Sequence, residues 1–182
     1  MSTIKLSKTQ EIALIALLAA VNIASRIYLQ ALPNIKPVTS IIILSVLVFG
    51  LSFALKLTVV TTIVSNLFLG MGIWTFFQIL AWTVICLLTQ LLKETYQKLG
   101  KQPPLLIMAI FAFLMGYVFG FVVSLEKFLI GGPIVFWTYY MTGLLFDTLH
   151  AFGNFFFYLI CAPLLQSVFI KKGTEMRSTI EK

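Results

Sequence analysis

Hydrophobic residues occupy long uninterrupted runs of this chain, and charged and turn-forming residues separate the runs. The longest run without a charged residue covers residues 57–92. A single helix over that run would be about 54 Å long at 1.5 Å per residue, whereas the hydrocarbon core of a bilayer is about 30 Å thick. The run is therefore predicted to fold back on itself. Gly70-Met71-Gly72 is the predicted break, because glycine permits a tight turn.

The same pattern predicts an all-α integral membrane protein with six transmembrane helices in a single domain, residues 1–182. The predicted helices cover about residues 9–30, 38–55, 57–69, 74–92, 105–125 and 144–170. Pro33 and Pro37 end the first helix, because proline stops helix propagation. "KETYQKLGKQPP" is the polar connection after the fourth, and "EKFLIGGP" is predicted to turn the chain after the fifth. Part of "IVFWTYYMTG" is expected to form a cap or loop before the sixth.

Composition supports the membrane class. Hydrophobic residues make up 60% of the chain and charged residues 10%, against about 45–50% and 25% in soluble domains. The net charge of +7 is not arranged as a basic stripe with interleaved aromatic residues, so nucleic acid is not expected as a partner. Cys86 and Cys161 lie in apolar helices without metal-ligand spacing and are expected to be small core residues.

The positive charges predict the orientation. With the N-terminus inside, only Arg26, Lys36 and Lys127 of the 13 Lys and Arg residues lie on the outer side. The positive-inside rule then predicts that both termini are cytoplasmic. Three connections meet at the outer face on this topology, and we expect a ligand pocket there, lined by Asn34, Lys36, Asn66, Trp74, Thr75, Gln78, Trp82, Trp137, Tyr139 and Tyr140.

Two interpretations of these residues stay open. Tryptophan and tyrosine also form ordinary belts at membrane interfaces, where lysine and arginine anchor the helices. Asn66 and Gln78 are less easily explained in this way, because an unpaired amide in a membrane segment costs several kcal/mol. Arg26 and Lys36 either anchor the interface or bind an anionic substrate through charge-assisted hydrogen bonds.

The last helix carries a polar face of its own. Asp147, His150 and Asn154 are spaced i, i+3 and i+7, so they share one side of a helix. They hold helices together, contact the ligand in the case of Asp147 and His150, or form a proton relay or metal site. One His and one Asp make a poor coordination set, so no metal is expected.

The first helix has alanines four residues apart. Ala16, Ala20 and Ala24 form a ridge that lets another helix approach closely. The chain also lacks a GxxxxGK nucleotide loop and a coupling carboxylate network, so any transport would need energy supplied by a partner. An enzyme is not expected either, because the serines have no Gly-x-Ser-x-Gly context.

Six helices, the alanine ridge, about 180 residues and a loop-capped outer pocket resemble the substrate-binding S-components of energy-coupling factor (ECF) vitamin transporters. "PNIKPV", "NLFLGMGIWTFFQ" and "DTLHAFGN" look most like the cobalamin branch of that family. The resemblance implies a multi-pass protein of a bacterial cell membrane that binds its vitamin from outside and topples to release it inside. It also implies docking through Ala16, Ala20 and Ala24 onto an ECF scaffold membrane subunit with two cytoplasmic ATPases.

The resemblance implies that this chain binds no cofactor, and that ATP is used by the partner subunits. An aromatic rim with nearby amides suits a corrinoid, which is a broad ring with peripheral carboxamides. Pantothenate, a pyrimidine or a queuosine-like base fits such a lining as well. An accessory membrane subunit without a ligand is the remaining alternative.

Overall fold

The computed structural model describes residue 4 and residues 6–180, with side chains described up to residue 165. Every regular element in this part of the chain is an α-helix. The helices are α1 (Lys8–Tyr28), α2 (Val38–Phe49), α3 (Leu51–Leu69), α4 (Ile73–Lys98) and α5 (Leu105–Ile180). Ser7 caps the start of α1, because its hydroxyl accepts from the Gln10 N–H while the Gln10 side chain accepts from the Ser7 N–H.

Four helical segments of the described chain are long and apolar enough to cross a membrane. They are α1, α3, α4 and residues Leu105–Leu165 of α5, whereas α2 is a shorter apolar helix. The prediction of an all-helical chain built from membrane-spanning segments is confirmed at this level. Six crossings and cytoplasmic termini stay predictions.

Helix α5 bends back on itself at Gly132. The backbone there has φ 74° and ψ −167°, which is not helical, and glycine adopts this positive φ without steric cost. Tyr117 and Thr148 share a hydrogen bond of 3.0 Å across the two arms. The rings of Phe113 and Phe152 lie 5.2 Å apart, edge to face. Since both pairs are roughly symmetric about Gly132, the arms, residues 105–131 and 133–180, form an antiparallel hairpin.

The hairpin corrects one prediction. The stretch "IVFWTYYMTG" is helical throughout, not partly a cap or loop. Pro133 opens the second arm, and proline is tolerated in the first turn of a helix because the N–H it lacks has no partner there. No further break follows, so the second arm begins about ten residues before the predicted sixth helix.

Two other boundaries differ from the predicted ones. The predicted helix over 38–55 ends at Phe49, because Gly50 takes φ 95° and turns the chain; α3 then begins at Leu51, not at residue 57. Lys56 therefore lies within α3 and does not end a helix. The break at Gly70 is confirmed, with φ 101°. Helix α4 does not end at residue 92, where the apolar segment ends. It continues through the polar residues "KETYQK" to Lys98.

The short helix α2 forms the centre of the bundle. Every residue from Val38 to Val48 is buried, and α2 packs against each of the other four helices. A helix that is apolar on all sides is expected in such a position. The cluster around Ile42, Ile43 and Val46 gathers side chains from α4 and from both arms of α5. The N-terminal end of α2 faces the polar cavity described next.

Candidate functional site

A polar cavity lies at the end of the bundle where α1 and α3 finish and α2 and α4 begin. Its volume is about 160 Å³. Each arm of α5 contributes one side chain: Phe119 from the first arm and His150 from the second. The lining residues are Arg26, Gln30, Asn34, Lys36, Val38, Leu69, Gln78, Trp82, Phe119 and His150.

Arg26 is the most heavily bonded side chain of the cavity. It is only 7% exposed, although it carries a charge that cannot be lost in a protein. One terminal nitrogen donates to the Ser65 hydroxyl at 2.7 Å. The other donates to the side-chain oxygens of Asn66 at 3.0 Å and Gln78 at 3.1 Å. Arg26 thus joins α1 to α3 and α4 through three uncharged acceptors.

The turn between α3 and α4 holds these acceptors in place. The Asn66 amide nitrogen donates to the Thr75 hydroxyl and to the Gln78 side-chain oxygen, each at 2.9 Å. The Gly72 N–H donates to the same Thr75 hydroxyl at 3.4 Å. Asn66 is 1% exposed, so it orients Arg26 and Gln78 from behind and does not line the cavity.

Trp82 forms one wall of the cavity. The Arg26 guanidinium lies 5.3 Å from the centre of its ring, within range of a cation–π interaction. The Phe119 ring lies 4.8 Å away. The indole N–H donates to the Thr39 hydroxyl at 3.1 Å. Thr39 in turn shares a hydrogen bond of 3.0 Å with His150 Nε2, so α4, α2 and α5 are linked by one buried polar chain.

The connection between α1 and α2 closes the cavity on another side. Asn34 has a left-handed backbone, with φ 57°, which asparagine adopts more readily than most residues. Its side-chain nitrogen donates to the Phe146 carbonyl at 3.3 Å, and this bond ties the connection to α5. Lys36 follows and is half-buried. Burial, and secondarily the nearby Arg26 charge, lower the pKa of Lys36 below its ordinary value.

The structure brings together part of the predicted pocket. Asn34, Lys36, Gln78, Trp82 and His150 line the cavity. Thr75 is buried behind it together with Asn66. The other predicted residues are not among the lining residues: Trp74, Trp137, Tyr139, Tyr140 and Asp147.

The residues outside the cavity have other surroundings. Trp74, Trp137 and Tyr139 are between 41% and 51% exposed. Trp137 and Tyr140 pack with Phe136 in an aromatic cluster on the second arm of α5. These four aromatic residues therefore do not form the rim of the cavity, and the exposed ones match the alternative of an interfacial belt.

Asp147 is buried where the two arms of α5 meet. It lies against Gly120, and a Cβ added at Gly120 would collide with its carboxyl group. Asn154, one turn beyond His150, is fully buried, and its backbone carbonyl accepts from the Ser40 hydroxyl at 2.9 Å. The polar face of the last helix thus splits: His150 reaches the cavity and Asp147 sits between the arms.

Sequence reasoning missed several residues of the site. Arg26 was expected to anchor the interface or bind an anion but was not placed in the predicted pocket, and Gln30, Thr39 and Ser65 were not predicted at all. The sequence feature that could have identified them is the one that identified Asn66: each is a polar side chain in or beside an apolar run. Val38, Leu69 and Phe119 carry no such signal, because apolar residues of a cavity wall look like any others.

The alanine ridge lies on the outside of the bundle. Ala16, Ala20 and Ala24 are all exposed, whereas Ile15, Leu18, Ala19, Asn22 and Arg26 form the buried face of α1. A partner helix therefore has access to the ridge from outside.

Comparison with protein-family models, with curated proteins and with solved structures gives no match. Within the described residues, no group of three or more His, Cys, Asp or Glu side chains comes together that could hold a metal ion.

Proposed function

We propose that this chain is the substrate-binding subunit of an ECF-type importer in a bacterial cell membrane. The observation that carries the proposal is a cavity lined by arginine, lysine, histidine and amide side chains at one end of a bundle of apolar helices. Buried polar groups in such a bundle are costly and normally serve binding or transport. The cavity is framed by the connection between α1 and α2 and by the end of α3, as a pocket open to one side of the membrane requires.

The exposed ridge of α1 supports the second half of the proposal. Small residues four apart let a partner helix approach closely and gain dispersion contacts that lipid does not match. Ala16, Ala20 and Ala24 offer such a face. We propose that it docks on a scaffold membrane subunit whose two cytoplasmic ATPases use ATP to drive release of the substrate. The proposal includes six crossings with both termini in the cytoplasm and no enzymatic activity of this chain.

The ligand in this proposal is a vitamin, and cobalamin or another corrinoid is the specific prediction that follows from the family resemblance. Pockets for drug-sized ligands measure about 300–1,000 Å³, and the cavity here has about 160 Å³. A corrinoid would therefore have to displace the connection over residues 29–37. The volume favours the alternative of a smaller vitamin or base, such as pantothenate, a pyrimidine or a queuosine-like base.

The first test is calorimetric titration of the purified chain with cobalamin, cobinamide, pantothenate and a pyrimidine. Tight binding of one of them by the isolated chain is expected. A correctly folded chain that binds no vitamin would instead favour an accessory membrane subunit without a ligand.

The second test separates docking from binding. The double variant Ala16→Leu, Ala20→Leu should abolish uptake in cells that also make the scaffold and ATPase subunits. The purified double variant should still bind its ligand as the original chain does. Val59→Leu is a control for an enlarged apolar side chain elsewhere on the surface, because Val59 is also exposed but lies on α3. Uptake that survives the double replacement would refute the docking face.

A further inference from the structure

Two cationic side chains line the cavity, and no carboxylate lines it. Arg26 and Lys36 are both among the lining residues, which include neither Asp nor Glu. The ion pairs in the described part of the chain are Lys56 with Glu11 and Lys127 with Glu126. Neither cation of the cavity has an anionic partner there.

The three bonds of Arg26 satisfy hydrogen bonding but not charge. Ser65, Asn66 and Gln78 accept through neutral oxygens. A buried charge is costly unless it is paired, and the Trp82 ring offsets this only in part. These bonds use three of the five N–H donors of a guanidinium. A charge and donors therefore remain for a bound group.

A purely structural role for Arg26 would explain the hydrogen bonds by which it joins α1 to α3 and α4. It does not explain a second cation on the same cavity. Burial and the Arg26 charge disfavour the protonated form of Lys36, which lowers its pKa. The only other titratable side chain on the lining is His150, which is not an anion in either form. The cavity thus has a positive potential that one anion would compensate.

We propose that the cavity binds its ligand through an oxyanion, a carboxylate or a phosphate, held by Arg26 and Lys36 and flanked by the Trp82 ring. This inference rests on the proposed function and deepens it by naming the chemical class of the substrate. Arg26 supplies its positive charge and the N–H donors that its three bonds leave free, and those bonds to α3 and α4 hold the guanidinium in place. Lys36 adds a point charge from the connection between α1 and α2.

The test is calorimetric titration of the full chain with two matched pairs of ligands. Pantothenate is compared with pantothenyl alcohol, in which a hydroxymethyl group replaces the carboxylate. Cobalamin is compared with cobinamide, which lacks the phosphodiester-linked nucleotide. The first pair isolates a carboxylate, and the second tests a phosphate together with the ribose and base that it carries. We expect the anionic member of one pair to bind about 10- to 100-fold more tightly, as charge-assisted hydrogen bonds allow.

Variants assign that preference to the cavity. Arg26→Gln should abolish it, and Lys36→Met should reduce it by about 10-fold. Lys36→Met also keeps the test decisive if Arg26→Gln fails to fold, because Arg26 bridges three helices. Lys56→Met is the matched control: it removes a cation whose partner is Glu11, away from the cavity, and should leave the preference intact.

The outcomes separate this inference from the proposed function. If both members bind equally tightly in both pairs, the proposal of a vitamin-binding subunit stands. The inference that the cavity binds an oxyanion is then overturned. A preference that survives both Arg26→Gln and Lys36→Met would overturn it as well. A folded chain that binds none of the four ligands overturns the oxyanion inference, and one that also binds no pyrimidine or queuosine-like base overturns the proposed function. An anion preference in a chain that supports no uptake keeps the inference and removes the transport function.

Discussion

Replacing Gly116 with alanine tests the packing of the α5 hairpin. A Cβ at Gly116 would lie 2.6 Å from the Cα and the backbone nitrogen of Ala151 on the other arm. Carbon atoms pack at about 3.5–4.0 Å. The two arms would therefore have to separate by about 1 Å, because backbone atoms cannot rotate out of the way. Overpacking of this kind costs about 1–3 kcal/mol.

Gly143→Ala is the matched control. Gly143 is also helical and has no atom within 4 Å of an added Cβ. Alanine is favoured over glycine in a helix interior by about 0.5–1 kcal/mol, and both variants receive this gain. The difference between their free energies of unfolding thus isolates the overpacking, and we expect it to be about 1–3 kcal/mol.

The assay is denaturant titration of both purified variants in one detergent, followed by circular dichroism. Ala151→Gly should not rescue Gly116→Ala, because the close contacts include backbone atoms that glycine retains. Equal stability of the two variants would refute the hairpin packing. Rescue by Ala151→Gly would show that only the methyl groups collide.

Three further predictions concern single side chains. Thr39→Val should cost about 1–3 kcal/mol of unfolding free energy, because it leaves a buried indole N–H and a buried imidazole nitrogen without their shared partner; Thr142→Val, whose hydroxyl bonds only its own helix, should cost far less in the same denaturant titration. Lys93→Met should cost about 1–3 kcal/mol by removing the buried ammonium that donates to a carbonyl in the last turn of α2, whereas Lys56→Met, at an exposed ion pair, should cost at most about 1 kcal/mol; equal losses would contradict this. Anion affinity measured by calorimetry should fall as pH rises through the lowered pKa of Lys36, because only the protonated amine attracts the anion, and a Lys36→Met chain with the same decline would contradict that assignment.

The sequence predicted the helices well where one physical signal dominated. An uncharged run too long for one crossing required a turn, and Gly70 supplies it with φ 101°. The turn at Gly50 was missed because apolar residues continue on both sides of it, so no change of polarity marks it. The turn at Gly132 lies within "EKFLIGGP", where a turn was predicted, but the residues after it were expected to form part of a loop, whereas Pro133 starts a helix.

The candidate site was predictable in most of its polar side chains and, among its apolar and aromatic residues, only at Trp82. Asn34, Lys36, Gln78 and His150 stand out as polar groups in or beside apolar helices, and all four line the cavity. Trp137 and Tyr139 were predicted to line the pocket for chemistry that is equally suited to a membrane interface, and both are exposed on the surface of the bundle. Which side of a helix an aromatic residue occupies depends on the rotation of the helix against its neighbours. A single sequence does not specify that rotation.

The position of the cavity follows from the shortness of α2. Its 12 residues span about 18 Å at 1.5 Å per residue, whereas the 21 residues of α1 span about 31 Å. Pro37 precedes α2, and Gly50 turns the chain at its other end, so the central helix cannot extend to fill the axis of the bundle. Beyond Val38 that space is left to the connection between α1 and α2 and to polar side chains from the surrounding helices. "PNIKP" thus both ends the apolar core and delivers Asn34 and Lys36 to the cavity.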